Sequence, residues 1–333
     1  MSNLLIKFML CLALVVVMTV GGSAPLFAQD DGPNIAFFNP LGANEYTAAT
    51  ERGAREVIEA NGGNMEVFTA SFDPAEQLNQ IQDAITSGNF DAFIIYPIDG
   101  IGVTVGVDAA AEAGIQVIAL DAVIGPDIGT LVPYENVAAQ VARTATGDGG
   151  ALADAMVMAC EGVDPCEVAF LQGFSSFPLD VERLAVVQAR ADASDNIEIV
   201  AVQDALYLED EGFTVATDML QANPDIDAFV SVGDQMILGA ELAVQDAGLE
   251  GQVALIGQGG NQDAYNAVAE GRWFATVANI PYTNGRIAGQ MAIQALDGSL
   301  IVRSVNMYDQ SPPFPSTGPI ITQDNYELFE PEW

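Results

Sequence analysis

Apolar positions along this chain alternate between short unbroken runs and longer stretches with helical spacing. From Asn34, NIAFFNPLGANEY leads into TAATERGAREVIEANGG, MEVFTASFD into PAEQLNQIQDAITSGNF, and AFIIYPIDG into VTVGVDAAAEAGI, before IQVIALDA closes the series. The short runs have the length of buried strands, and the longer segments place apolar residues three and four apart, as a helix burying one face does. Strands and helices in strict alternation predict right-handed βαβ crossovers and a parallel sheet. Such sheets bind ligands outside the carboxyl ends of their strands, which places Asn44, Tyr46 and Asp121 where a polar ligand would be held.

A second series follows. EVAFLQGF leads to DVERLAVVQARADA, IEIVAVQDALY to EDEGFTVATDMLQANP, DAFVSVGD to QMILGAELAVQDAGL, QVALIGQGG to NQDAYNAVAEG, and WFATVANI to PYTNGRIAGQMAIQALDG. Phe213, Ala216, Met219 and Leu220 show the helical spacing, with Gly or Asn-Pro at the helix ends. A chain of this length exceeds one ordinary core. The predicted fold class is therefore α/β, with two similar doubly wound parallel-sheet lobes joined by short crossings and a ligand cleft between them. A long helix from Asn136 to about Ala159 is expected to open the second half.

Composition narrows the function. Lys7, the apolar run FMLCLALVVVMTV and GGSAPLFA read as an export signal over residues 1–28, cleaved near Ala28, which predicts a periplasmic or extracellular protein. The formal charge is −37, and Lys7 is the one lysine beside eight arginines. That field repels nucleic acid and anionic lipid. With no histidine in the sequence, the commonest general base and zinc ligand are missing, and no metal or cofactor is expected. Beyond the leader, Cys160 and Cys166 form an even pair across a short Gly/Pro-containing loop, which predicts a disulfide in an exported protein.

The order of these elements and several local motifs resemble the periplasmic sugar-binding proteins of ABC transporters, ribose-binding type. The resemblance is carried by the loop Asn44–Tyr46, ALDA ending the strand at Asp121, YENV at Tyr134–Val137, Arg183 in DVERLAVV, GDQMILGA at Gly233–Ala240 and WFATVAN ending at Asn279. It implies an N-terminal lobe of 29–134 plus 280–309 and a C-terminal lobe of 135–279 plus 310–333. Three crossings are expected near Pro133–Asn136, Asn279–Tyr282 and Tyr308–Pro313. It also implies ligand contacts from Asn44, Tyr46, Asp121, Arg183, Tyr207 and Asn279. Two departures stand out: the family's Asn-Asp is here Gly233-Asp234, and its glycine-aromatic-aspartate-glycine turn is Gly257-Gln258-Gly259-Gly260. Asp234 and Gln258 are expected to supply other polar contacts. The arginine that follows the family's aspartate is here Ala122.

The function so implied is an exported monomer that captures a sugar or polyol between closing lobes and delivers it to the permease of an ABC importer, without catalysis. The alternative is a periplasmic sensor presenting its ligand to a membrane receptor kinase. An acid-pair hydrolase is the third reading, weakened by the missing histidines and nucleophile elbow.

Overall fold

The computed structural model describes residues 32–42, 44–309, 314–315 and 318–333. The expected leader at 1–28 lies outside them, as does the 310–313 part of the third expected crossing. The chain runs β1 (Asn34–Asn39), α1 (Glu45–Ala60), β2 (Asn64–Thr69), α2 (Pro74–Ser87), β3 (Ala92–Ile95), α3 (Thr104–Glu112), β4 (Gln116–Ala122) and β5 (Ala139–Arg143). It continues with α4 (Ala145–Ala159), β6 (Cys166–Gln172), α5 (Pro178–Asp192), β7 (Ile197–Asp204), α6 (Glu209–Ala222), β8 (Ala228–Ser231), α7 (Asp234–Asp246) and β9 (Ala254–Gly259). The last elements are α8 (Gln262–Ala269), β10 (Ala275–Ala278), α9 (Pro281–Asp297), β11 (Ser304–Asn306) and β12 (Ile320–Ile321).

These strands build two six-stranded sheets, ordered β2-β1-β3-β4-β5-β11 and β7-β6-β8-β9-β10-β12. All pairs are parallel except β10 with β12 at the edge of the second sheet. Helices cover both faces of the first sheet, which is why β3 has no polar position: Ala92–Ile95 is wholly buried. On one face Ala54, Ile58, Ala288 and Ala292 pack against Ile35, Phe37, Ile94 and Ile118; on the other Ile81, Ala84, Val107 and Ala110 meet Phe38, Phe93 and Ile95. The two-lobed α/β fold expected from the alternation is the fold observed.

Among the described helices, α1, α2, α4 and α8 start at side-chain caps. Asn44 Oδ1 accepts from Thr47 N (3.2 Å), Asp73 Oδ1 from Ala75 N (2.8 Å), Thr144 Oγ1 from Gly147 N (3.1 Å) and Asn261 Oδ1 from Ala264 N (2.7 Å). Each cap fixes where a strand end turns over into its helix, and so fixes the rim of the cleft.

The expected helix from Asn136 is corrected. Ala139–Arg143 is a strand whose five residues are all buried, paired with β4 on one side and β11 on the other. The alanine-rich run favours a helix locally, but the open edge of β4 satisfies the backbone of these residues in a ladder, and tertiary pairing wins. Helix α4 begins only after Thr144. The first sheet thus extends past the expected limit at 134, and the chain leaves it at Arg143–Thr144 rather than at Pro133–Asn136. It returns at Asn279–Ile280, between β10 and α9, within the second expected crossing. Cys160 and Cys166, at the end of α4 and the start of β6, are joined by a disulfide with their Cα atoms 5.7 Å apart.

Candidate functional site

The carboxyl ends of both sheets converge on one cavity. Tyr46 on the first turn of α1, Tyr96 after β3 and Arg143 ending β5 come from the first lobe; Arg183 on α5, Tyr207 after β7 and Gln258 on β9 come from the second. Asn44, Asn279 and Trp333 complete the wall. Phe72, in the loop after β2, crosses to the second lobe, where its ring stacks on Phe174 at 4.5 Å and meets Phe177 edge-on at 5.3 Å.

Behind the wall runs a buried chain of alternating charge. Arg143 Nη2 donates to Asp121 Oδ1 (2.6 Å), and its Nη1 lies 3.4 Å from Asp148 Oδ1. Arg183 Nε donates to Asp148 Oδ2, and its Nη1 donates to Asp180 Oδ1 (2.8 Å). Asp148, on the first turn of α4 and fully buried, also accepts from Gln258 Nε2 (2.8 Å) and from the Tyr308 hydroxyl. The Tyr308 hydroxyl in turn lies 3.1 Å from Asn279 Oδ1. Arg143, where the chain leaves the first sheet, and Tyr308 therefore meet at the Asp148 carboxylate, and Asn279 joins them through the Tyr308 hydroxyl. Buried ion pairs of this kind hold geometry more than they add stability, because desolvation offsets much of the attraction.

The titration shifts follow from burial and partners. Burial alone would raise Asp148, but Arg143, Arg183 and the Tyr308 hydrogen bond outweigh it and hold the carboxyl below the usual range. Burial would lower Arg183, yet Asp148 keeps it raised, so the guanidinium stays charged. For Asp180 burial wins over Arg183 and Tyr207, and its pKa rises. Tyr46 is raised by burial and then by Asp121, to which its hydroxyl donates. Asp121, Asp148 and Asp180 are thus engaged by arginines and tyrosines. Among the described residues that line the cavity, Arg143 Nε and Gln258 Oε1, one donor and one acceptor, are buried side-chain atoms without a hydrogen-bond partner.

Strand ends here carry strain. Asp121 (φ 69°), Tyr207 (φ 57°) and Phe72 (φ 60°) are non-glycine residues in the left-handed region, each costing about 1–3 kcal/mol. Such conformations cluster at ligand clamps, and all three lie at the cleft.

Of the residues expected from sequence, Asn44, Tyr46, Arg183, Tyr207, Gln258 and Asn279 line the cavity together. Asn44 is both a helix cap and a wall residue. Asp121 sits one layer back, orienting Tyr46 and Arg143. Asp234 is corrected: it is buried beneath the 257–261 turn, accepting from Asn261 N (3.0 Å) and Thr276 Oγ1 (2.8 Å), and is not part of the wall. Its carboxylate is taken up by the turn it supports.

Sequence reasoning missed Arg143, Asp148, Tyr96, Phe72, Tyr308 and Trp333. Arg143 had a signal, since in a chain with eight arginines any arginine at a strand end is conspicuous. It is the register partner of Ala122, so the guanidinium that the resemblance puts directly after Asp121 is supplied from the neighbouring strand. The glycine departures also have a steric reason. A Cβ at Gly233 would lie 2.9 Å from Tyr207 Cδ1, and one at Gly259 would lie 2.7 Å from Trp333 Cζ2. Aromatic rings fill the space that side chains at those positions would need. Among the described residues no group of three or more His, Cys, Asp or Glu side chains is arranged to hold a metal ion.

Comparison with known proteins gives a consistent neighbourhood. A family described as "Periplasmic binding protein domain" matches residues 35–300. The ribose import binding protein RbsB of Bacillus subtilis is 27% identical over 264 residues, 79% of this chain and 81% of its own. The D-ribose/D-allose-binding protein of Pseudomonas aeruginosa is 27% identical over 295 residues, covering 86% and 91%. An ABC transporter solute binding protein from Mycobacterium smegmatis, solved with bound glycerol, superimposes with a TM-score of 0.75 at 26% identity, covering 89% of this chain and 96% of that one.

Proposed function

This chain belongs to the periplasmic binding protein family, and we propose that it is an exported solute-binding protein that captures a sugar or polyol between its lobes for delivery to an ABC importer. The observation that carries the reading is the cavity wall, where Arg143 and Arg183, one guanidinium from each lobe, stand among tyrosines and the amides of Asn44, Gln258 and Asn279. A neutral polyhydroxylated ring needs planar hydrogen-bonding groups at its edge and aromatic surface over its faces. The relatives named for ribose and allose support the class of ligand, and the name of the Bacillus subtilis protein speaks of import rather than sensing.

Delivery works through closure. A ligand touching both lobes makes its full set of contacts only when they are together, and that differential contact shifts the population toward the closed form. The Phe72 clasp is apolar and asks nothing of the ligand, so it favours closure of any pair of lobes brought near; the ligand's polar contacts set which solute holds them. The ABC permease partner would read the closed pair of lobe surfaces. The protein acts as a monomer, leaves its ligand chemically unchanged, and carries the Cys160–Cys166 bond as an exported protein does.

A thermal-shift screen against D-ribose, D-allose, myo-inositol and glycerol, followed by calorimetry of the hits, tests this. A ligand at 100 times its Kd adds about 2.7 kcal/mol to stability. Small-angle scattering with the hit should show a smaller radius of gyration. Stabilisation by amino acids or nucleosides, with none from any sugar or polyol, would refute the assignment.

A further inference from the structure

Trp333 stands on the cavity wall, and its polar capacity is already used. The indole has one N–H and no acceptor. That N–H donates to Gly259 O at 3.1 Å, so the ring offers the cavity only carbon and π surface. The ring meets Tyr46 edge-on, centroids 5.3 Å apart.

The ring is fixed from both lobes. Trp333 O accepts from Gln262 N (2.8 Å) at the start of α8, and the preceding Glu332 accepts from Thr283 N (3.0 Å) and the Thr283 hydroxyl at the start of α9. Gly259 makes room for it: its φ of 148° and the 2.7 Å that would separate a Cβ from Trp333 Cζ2 leave no place for a side chain there. Among the described residues lining the same cavity, Arg143 and Gln258 are the two whose side chains keep a buried polar atom without a partner, Nε and Oε1. The side chains of Arg143, Gln258, Asn44 and Asn279 thus bring hydrogen-bonding groups to the cavity lining, whereas the indole brings none.

Resting on the reading of this cavity as a sugar or polyol site, we infer that Trp333 is its specificity-determining residue and selects ligands with a deoxygenated edge. A hydroxyl pressed against the indole loses water and finds no partner, whereas a methyl or methylene group there loses nothing. The favoured class is a deoxy sugar or a comparable polyol, holding its hydroxyls toward Arg143 and Gln258 and its C–H edge toward Trp333.

Matched pairs read this directly: D-fucose against D-galactose, and 2-deoxy-D-ribose against D-ribose, titrated by calorimetry. The wild type should favour the deoxy member of at least one pair by tenfold or more. Trp333→Phe, which keeps an aromatic wall, should retain that preference; Trp333→Ala should reduce it below threefold; Trp333→Gln, which restores hydrogen bonding, should turn it toward the hydroxylated member. Should the alanine variant fail to fold by circular dichroism, the glutamine and phenylalanine variants carry the test. Tryptophan emission supplies a second readout, because the chain has two tryptophans and the other, Trp273, is 1% exposed in the second-lobe core with its Nε1 bound to Glu241. A sugar-induced emission change should be present in the wild type and absent in Trp333→Phe. Equal or tighter binding of the hydroxylated members by the wild type, or a deoxy preference that survives in both the alanine and glutamine variants, overturns the inference while leaving the sugar site standing. If none of the four sugars binds while another sugar or polyol does, the inference is overturned and the sugar site stands; if no sugar or polyol binds at all, the sugar-site reading fails and the inference falls with it.

Discussion

In the first lobe the strand ends that face the cleft carry charge: Asp121 on β4 and Arg143 on β5 lie on adjacent strands and pair with each other. The corresponding places in the second lobe, which has the same strand order, hold the neutral amides Gln258 on β9 and Asn279 after β10. The second lobe's charges come from helices instead, Asp148 on α4 and Asp180 and Arg183 on α5. The shared frame fixes where a side chain can point into the cleft, while its chemistry is chosen position by position. Buried aspartates make the same point. Asp148 has two arginines and is held low, whereas Asp234 has only neutral donors, and burial pushes it from 3.8 up to about 7.

The largest expected effect comes from breaking the joint between the lobes. Asp148→Ala leaves the buried Arg143 and Arg183 facing each other across an empty carboxylate site, and should lower unfolding stability by about 3–5 kcal/mol in urea titrations. A loss below about 1 kcal/mol would mean that the guanidiniums are solvated and the lobes are not tied there.

The pH profile sharpens the contrast between the two aspartates. A carboxyl whose folded pKa lies above its unfolded value contributes stability that is complete below the unfolded value and lost as pH rises through the folded one. For Asp234 that window runs from about 4 to about 7. For Asp148 the sign reverses: its contribution is present above the unfolded value and disappears as pH falls through the lower folded one. Asp234→Asn should therefore remove a decline in stability between pH 4 and 7 in denaturant titrations, and leave the loss in stronger acid. An unchanged slope in that variant would assign the decline to another group.

Binding compares the lobes through their arginines. Arg143→Ala and Arg183→Ala should each weaken the identified sugar at least tenfold in calorimetry, since a hydrogen bond to a buried charge contributes about 1.5–3 kcal/mol. Should only Arg183 matter, the strand-end charge of the first lobe would be structural. The smallest effect concerns a feature of the second lobe alone. Cys160→Ser with Cys166→Ser should cost about 2 kcal/mol, the chain-entropy value for so short a loop. Mass spectrometry of the protein purified without reductant should show the oxidised form, two hydrogens lighter than the dithiol.

Much of this was open to reading in one dimension. The alternation of apolar runs and helical spacing dictates βα units because each short run can bury its backbone only in a sheet and each amphipathic stretch only against one. Strand ends then mark the cleft, which is why Asn44, Tyr46 and Asp121 could be picked out; Arg183, Tyr207 and Asn279 were implied by the resemblance to the sugar-binding family, and Gln258 by a departure from it. Ala139–Arg143 could not be read this way. Its local preference is helical, and only the free edge of β4, more than fifteen residues upstream, makes it a strand. The same error hid Arg143, whose role depends on lying beside Ala122. Asp148 and Tyr308 lie 160 positions apart and meet through the crossings between lobes. Trp333 reaches the cavity because Gly259, seventy-four positions earlier, has no side chain to exclude it. Periodicity is a local property, fixed by the geometry of one strand or helix, and the sequence by itself determined the units and their ends. Which distant groups share a desolvated volume, and so which charges are paired, which aspartate is raised and which wall is apolar, depends on long-range contact, and only the tertiary structure decided it.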